Sequence, residues 1–245
     1  MSQFSVAARS LPHSPHCSDP CQTCAVRDIA ACSSLNADDR RRLTSIISPL
    51  RAGPHRLIFE EGEPADHVFT VTDGVVKIYK TLKDGRRQVT GFLFPGDFLG
   101  LLDNNVYAYS AETLTPAHFC RLPRPALEAL LDELPRLRQG LLGMASHEIA
   151  AAQEQMLLLG RKSARERVAS FLLTLSKAAL GDGRPAKAIA LPMSRADIAD
   201  YLGLTMETVS RKLTLLSSQR TIEILHDRHV CVLNFPALWR AAGAS

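Results

Sequence analysis

The sequence predicts an α+β chain: an N-terminal jelly-roll β-sandwich, a long helix, and a C-terminal winged helix-turn-helix. Three observations predict it. Between Arg56 and Leu122, short β-rich runs alternate with Gly and Asp turn signals. Between Leu142 and Leu159, apolar residues recur at steps of 3 and 4. From Ser194 to Arg211, a capping residue, a small residue, a glycine and an apolar anchor follow at the spacing of two crossing helices. The length of 245 residues suits two modest domains joined by a helix, with no room for a further catalytic domain.

Composition narrows the class. Hydrophobic residues make up 46% and charged residues 22%, a globular mix that excludes disorder and collagen. No stretch approaches the roughly 18 to 20 apolar residues of a membrane span. Met1–Asp19 lacks the apolar run of a secretory signal, so a cytoplasmic location is expected. Charge is uneven. From Arg161 onward there are 13 Lys+Arg and 7 Asp+Glu; the first 160 residues hold 16 and 18. A basic C-terminal third points to an anionic partner.

The elements follow in order. Met1–Pro20 is rich in Ser, Pro and His and reads as a tail. Four of the six cysteines, Cys17, Cys21, Cys24 and Cys32, then fall within 16 residues. The cytosol rarely sustains disulfides, so a metal or redox site is expected, and residues 1–35 form a tail with a cysteine segment. Cys21-x2-Cys24 is a two-point thiolate clamp, with Cys32 further on. By spacing alone, zinc and an iron–sulfur cluster both fit four thiolates. His13 and His16 are alternative ligands, though a solvated tail is the plainer setting for both.

Asn36 is placed to cap a short helix with Asp38 and Asp39 in its first turn and Leu43, Ile46, Ile47 and Leu50 on one face. Residues 36–134 form the sandwich domain. Its strands are expected over Leu57–Phe59, His67–Thr72, Val75–Lys80, Gln88–Phe92 and Ala117–Leu122, the last carrying Cys120. Helix begins near Pro125. Over 135–160, Leu142, Ala145, Ile149, Ala152, Met156 and Leu159 form an a/d seam suited to pairing two copies of the chain; packing on its own domain is the alternative. Gly160 and the basic run after it mark a hinge.

Residues 161–245 form the DNA-binding domain. A helix runs from Ser163 to about Leu180, followed by a Gly/Pro loop. Ser194 caps the first helix of the motif, Ala199 is the small residue at the crossing, and Gly203 makes the turn. Thr205 caps the second helix and Val209 anchors it. Ile198, Leu202, Leu204, Leu213 and Leu216 complete the core. Glu207, Ser210 and Arg211 then point outward near the start of the second helix, where a recognition helix meets base edges. Arg pairs with guanine O6 and N7, and Glu accepts from cytosine N4. The alternative is an ordinary solvated face. Thr221–Leu225 and His229–Leu233 form a hairpin wing. Cys231, between two valines, reads as a buried core thiol.

The order of parts resembles the CRP/FNR superfamily of bacterial transcription regulators, most closely the FNR-type oxygen sensors of the FnrL/FnrN subgroup. The resemblance spans Cys21 to Phe235. It is carried by Cys21-Gln-Thr-Cys24 with Cys32 and Cys120, by Gly91-Phe-Leu-Phe-Pro-Gly-Asp97-Phe-Leu-Gly100, by Met156-Leu-Leu-Leu159, and by Tyr201-Leu-Gly-Leu-Thr-Met-Glu-Thr-Val-Ser-Arg211. It implies a sandwich of the cyclic-nucleotide-binding type. It also implies an oxygen-labile four-iron, four-sulfur cluster on Cys21, Cys24, Cys32 and Cys120, with zinc as the alternative and Cys17 left over. Glu207, Ser210 and Arg211 become the reading triad for a palindrome with TTGAT and ATCAA half-sites, with Arg195 and Lys212 as phosphate contacts. The implied partners are double-stranded DNA, a second copy of the chain and RNA polymerase.

The chain departs from the cyclic-nucleotide branch: Tyr109 precedes Ser110 where that branch has an arginine for the phosphate, so no cyclic nucleotide is expected. The expected function is therefore oxygen-responsive regulation, not catalysis. Alternatives are the same fold with nitric oxide, haem or zinc as input, a cluster-free regulator, or an iron–sulfur redox protein.

Overall fold

Asn36 adopts extended backbone, and its side chain accepts from the Asp39 amide at 2.8 Å, opening helix α1 (Ala37–Ile46). The computed structural model describes residues 21, 24–100, 105–179, 185–226 and 228–243. The expected tail, with His13, His16 and Cys17, lies outside them, as do 101–104, most of the Gly/Pro loop and Asp227 of the wing turn. Helix α1 stops at Ile46, so Leu50 does not share its apolar face as expected. Pro49 is the reason: proline drives the residue before it to extended backbone, and Ser48–Ala52 becomes strand β1. That strand lies at a sheet edge, where a proline costs no ladder bond.

The sandwich has seven further strands: β2 (Leu57–Phe59), β3 (His67–Asp73), β4 (Val76–Thr81), β5 (Arg87–Leu93), β6 (Phe98–Leu99), β7 (Ser110–Thr113) and β8 (Ala117–Pro123). They form two four-stranded antiparallel sheets, ordered β1-β8-β3-β6 and β2-β7-β4-β5, the expected jelly roll. Phe59, Phe69, Val71, Ile78, Leu99 and Phe119 fill the space between the sheets. The opposite face of β3 and β8, with Val68 and Leu122, packs against helices.

The helical stretch divides at Leu134, ahead of Pro135, into α2 (Arg124–Glu133) and α3 (Pro135–Arg161). Helix α3 runs straight through Gly160. The break falls at Lys162, which is extended, and Ser163 starts α4 (Ala164–Ala178) with a capping box to Glu166. Then follow β9 (Ala188–Ala190), α5 (Arg195–Leu202), α6 (Met206–Ser218), β10 (Ile222–Leu225), β11 (His229–Val232) and α7 (Phe235–Ala241). The wing sheet is ordered β10-β11-β9. Leu172, Ile198, Leu202, Val209, Leu213 and Leu216 form its core with α4 and α7. Cys231 is not a buried core thiol. Strand alternation sends Val230 and Val232 inward and leaves Cys231 half-buried on the other face.

The sandwich docks directly on α5. Lys77 Nζ lies 2.9 Å from Asp197 Oδ1 and 3.2 Å from Glu112 Oε1, with the Lys77 side chain only 10% exposed. Gln88 Nε2 donates to the Asp200 carbonyl at 2.6 Å, and Phe92, Phe171 and Tyr201 cluster beside it. Burial works to lower the Lys77 pKa, but the Asp197 hydrogen bond and the Asp197 and Glu112 charges hold it above the ordinary value of 10.5. Burial works to raise Asp197, but hydrogen bonds from Ser194 and Lys77 hold it below the usual range.

Lys77→Ala removes one partner from this buried group, and a loss of about 3 kcal/mol is expected in urea unfolding. The sign of the pH dependence follows. The Asp197 contribution is present above its unfolded pKa and is lost as pH falls through the lower folded value. The Lys77 contribution is full below its unfolded pKa and is lost as pH rises through the higher folded value. Unfolding across pH on both proteins checks this: the difference between them should shrink at both extremes.

Candidate functional site

Two sites and one surface follow from this arrangement. The first is a cavity between the sandwich and the helices. Cys21, Cys24, Cys32 and Cys120 all line it, with Leu122, Leu127, Leu137 and Leu141 among its apolar walls. Cys120 reaches it by strand alternation: on β8, Phe119 faces the sandwich interior, and Cys120 and Leu122 face outward. Cys32 sits on a 3-10 turn, Ala31–Ser34, that packs on the start of α3. Cys21 is buried; the other three are half-buried.

The thiols lie close enough to resist one another's ionisation. Burial pushes Cys120 up to about 12, reinforced by Cys24, Cys21 and Cys32. Burial likewise raises Cys32, reinforced by Cys21 and Cys24 and opposed by its backbone hydrogen bond and by Arg40. Arg40 also lines the cavity. Its Nη2 donates to the Leu35 carbonyl at 2.8 Å, while its buried Nε has no acceptor among the described residues. A buried donor without an acceptor is costly, and this one borders a set of soft, ionisable sulfurs. Among the described residues, no three Cys, His, Asp or Glu side chains form a group tight enough for one metal ion.

Inside the sandwich, Tyr109 stands at the position expected to lack a phosphate-binding arginine. Burial raises its hydroxyl to about 12. Tyr109 Oη accepts from the Gly100 amide at 3.1 Å, and Tyr107 Oη donates to the His67 carbonyl at 2.8 Å. Both hydroxyls thus take up backbone groups within the sandwich.

The second site is α6. Gly203 takes φ 61°, left-handed backbone that favours glycine, and Thr205 Oγ1 accepts from the Thr208 amide at 3.2 Å to start the helix. Glu207, Ser210 and Arg211 are all exposed, with Arg211 Nε 3.8 Å from Glu207 Oε1. Ser210 Oγ meanwhile donates to the Met206 carbonyl. Arg195, in the first turn of α5, and Lys212 are half-buried. Arg167 fixes this unit to α3: its guanidinium donates to the Leu159, Lys162 and Leu202 carbonyls at 2.7, 2.9 and 2.9 Å.

The surface is the seam of α3. Leu142, Ile149 and Met156 are 67%, 61% and 71% exposed, and Ala145 and Ala152 are exposed with them. Leu159 differs. It is half-buried against the core of the DNA-binding unit, close to Gly203.

Comparison with known proteins places these parts together. The cyclic nucleotide-binding domain family matches residues 49–133, and the Crp-like helix-turn-helix domain family matches residues 166–241. The transcriptional activatory protein AadR of Rhodopseudomonas palustris is 40% identical over 208 residues, covering 84% of this chain and 87% of that protein. The chain belongs to the CRP/FNR family of transcription regulators. The transcriptional activator FnrL of Cereibacter sphaeroides is 34% identical over 227 residues, covering 91% and 92% of the two chains. The structure of FixK2 from Bradyrhizobium japonicum superposes with a TM-score of 0.76 at 37% identity, covering 82% of this chain and 99% of that one. CRP/FNR proteins are DNA-binding regulators, so the chain is not an enzyme, as expected, and the redox-protein alternative falls. Among the described residues, no helix is long and apolar enough to cross a membrane.

Several residues that build this CRP/FNR regulator's sites carried no signal in the sequence. Arg40, Lys77, Gln88 and Arg167 sit in ordinary polar contexts, and their partners are distant along the chain except for the local contacts of Arg40 and Arg167.

Proposed function

We propose that the chain is an oxygen-responsive transcription regulator that holds a four-iron, four-sulfur cluster on Cys21, Cys24, Cys32 and Cys120. The observation that carries this reading is the meeting of these four thiols, from two distant parts of the sequence, in one apolar cavity beside α3. Four cysteines are the ligand complement of such a cluster, and the unpaired Arg40 Nε is a donor suited to an anionic group there. Four thiolates also suit a single zinc, and iron, sulfide and zinc analysis separates the two. When bound, the cluster supplies oxygen-reactive iron and sulfide and a covalent tie between the cysteine segment and β8.

The chain's own residues do the rest. Tied to β8, the Cys21–Cys32 segment holds the start of α3 in place, and the exposed seam from Leu142 to Met156 pairs with a second copy, while Leu159 packs on the DNA-binding unit. Two α6 helices then meet successive major grooves of a TTGAT–ATCAA palindrome, with Glu207, Ser210 and Arg211 on base edges and Arg195 and Lys212 on phosphates. Released, the segment no longer supports the dimer. A shift of about 1.4 kcal/mol changes the dimer constant tenfold, so a modest change in the pose of α3 suffices. Tyr109 stands where the cyclic-nucleotide branch has its phosphate-binding arginine, so no cyclic nucleotide is the signal. RNA polymerase is the partner once DNA is bound, and the cytoplasm is the location.

Anaerobic reconstitution tests the reading. The expected product is brown, carries close to four iron and four sulfide per chain (a stoichiometry set by the proposed cluster), and binds the palindrome until air is admitted. A colourless chain with one zinc, or binding indifferent to air, overturns it. Ile149→Glu tests the seam separately. Because Ile149 is 61% exposed in the single chain, its stability should change by no more than about 0.5 kcal/mol, while sedimentation shows monomer in place of dimer.

A further inference from the structure

Helix α3 contains three glycines, at 140, 143 and 160. A glycine inside a helix costs roughly 1 kcal/mol against alanine, so each is a loss unless its position demands it. At Gly143 and Gly160, an added Cβ meets nothing within 4 Å. At Gly140 it falls 2.6 Å from the Ala31 carbonyl oxygen and 3.4 Å from the carbonyl carbon. Both atoms are backbone and cannot swing aside. Ala31 opens the 3-10 turn that carries Cys32, so turn and helix meet there backbone to backbone.

The surroundings give that contact a direction. Leu137 and Leu141, flanking Gly140, are buried and line the thiol cavity. Ser34 Oγ, at the end of the turn, donates to the Arg136 carbonyl at 3.3 Å. Two residues after Gly140, Leu142 begins the exposed seam. One face of the first turns of α3 therefore rests on the cysteine segment, and the adjoining face is the one offered to a second chain.

We propose that Gly140 is the contact through which the Cys21–Cys32 segment sets the pose of α3, coupling the thiol site to the dimer seam. It rests on the cluster reading above and adds the residue that transmits the signal. Gly140 is a positioning residue: it acts through the Ala31 backbone. A methyl group at 140 forces the turn that carries Cys32 away from the helix without substituting any cysteine or any seam residue.

The test compares the full chain with Gly140→Ala and Gly143→Ala. In the cluster-free protein, maleimide labelling of Cys32 should quicken several-fold in Gly140→Ala only. After anaerobic loading with iron and sulfide, sedimentation should show a dimer strengthened by loading in the parent and in Gly143→Ala, and about tenfold weaker coupling in Gly140→Ala, equivalent to about 1.4 kcal/mol. Gly140→Ala indistinguishable from Gly143→Ala in both measurements overturns the proposal. Should Gly140→Ala fail to fold, hydrogen exchange on the parent chain decides. Loading should slow amides 30–35 and 136–144 together, and independent behaviour of the two segments overturns the coupling. A parent chain that takes up no iron and sulfide refutes the cluster reading instead, and the labelling arm still judges the Gly140 contact.

Discussion

Cys120→Ser is expected to leave the chain folded and to abolish the low-oxygen DNA binding proposed for it. Cys120 is the one proposed ligand supplied by the sandwich; the other three come from the segment ahead of α1. A serine hydroxyl is nearly the same size and keeps the β8 ladder, so the cluster-free chain should unfold close to where the parent does. Iron and sulfide after anaerobic reconstitution should fall to near background. Specific affinity for the palindrome should drop about 100-fold or more, because bivalent engagement of two half-sites is worth that much without any new contact. Cys231→Ser, half-buried in the wing, serves as the comparison and should retain full loading. A Cys120→Ser chain that loads four iron and binds as the parent does sinks the ligand assignment.

Arg211→Ala is expected to remove discrimination at the guanine of each half-site. A bidentate arginine–guanine pair contributes about 1 to 3 kcal/mol of discrimination, and a two-fold symmetric complex loses it twice. Among the described residues Arg211 pairs with exposed Glu207 at 3.8 Å, an interaction worth little to stability. The effect should therefore appear in site preference and not in unfolding. Competition between the palindrome and a version with its guanines replaced measures it. Preference for guanine that survives the substitution shows that another side chain reads that base.

Local chemistry made much of this architecture legible. Asn36, Ser163, Ser194 and Thr205 each cap a helix with their own side chains. Gly203 turns where only a permissive residue does so without strain. β-rich runs between Gly and Asp turns marked five of the eight sandwich strands, and the clustered N-terminal cysteines announced a metal or redox site, to which the family resemblance added Cys120. The failures also have local causes. Leu50 matched a helical spacing, yet Pro49 beside it had already excluded helix. Cys231 lay between two core valines, and alternation sent it to the opposite face. Strands β6, β7 and β9, of two to four residues, are too short to stand out, and the other omissions are pairings over distance. Lys77 and Asp197 are 120 positions apart, and each alone resembles a solvated charge. Gly140 reads as a defect in a helix until Ala31 is seen against it.

Strand β8 has two faces with separate tenants. Phe119 looks into the chamber between the sheets, and one residue on, Cys120 looks into the thiol cavity. A single strand thus serves as a party wall between two rooms, of which the thiol cavity adjoins α3. Either room can be refurnished by changing alternate side chains on that wall, without rebuilding the DNA-reading half.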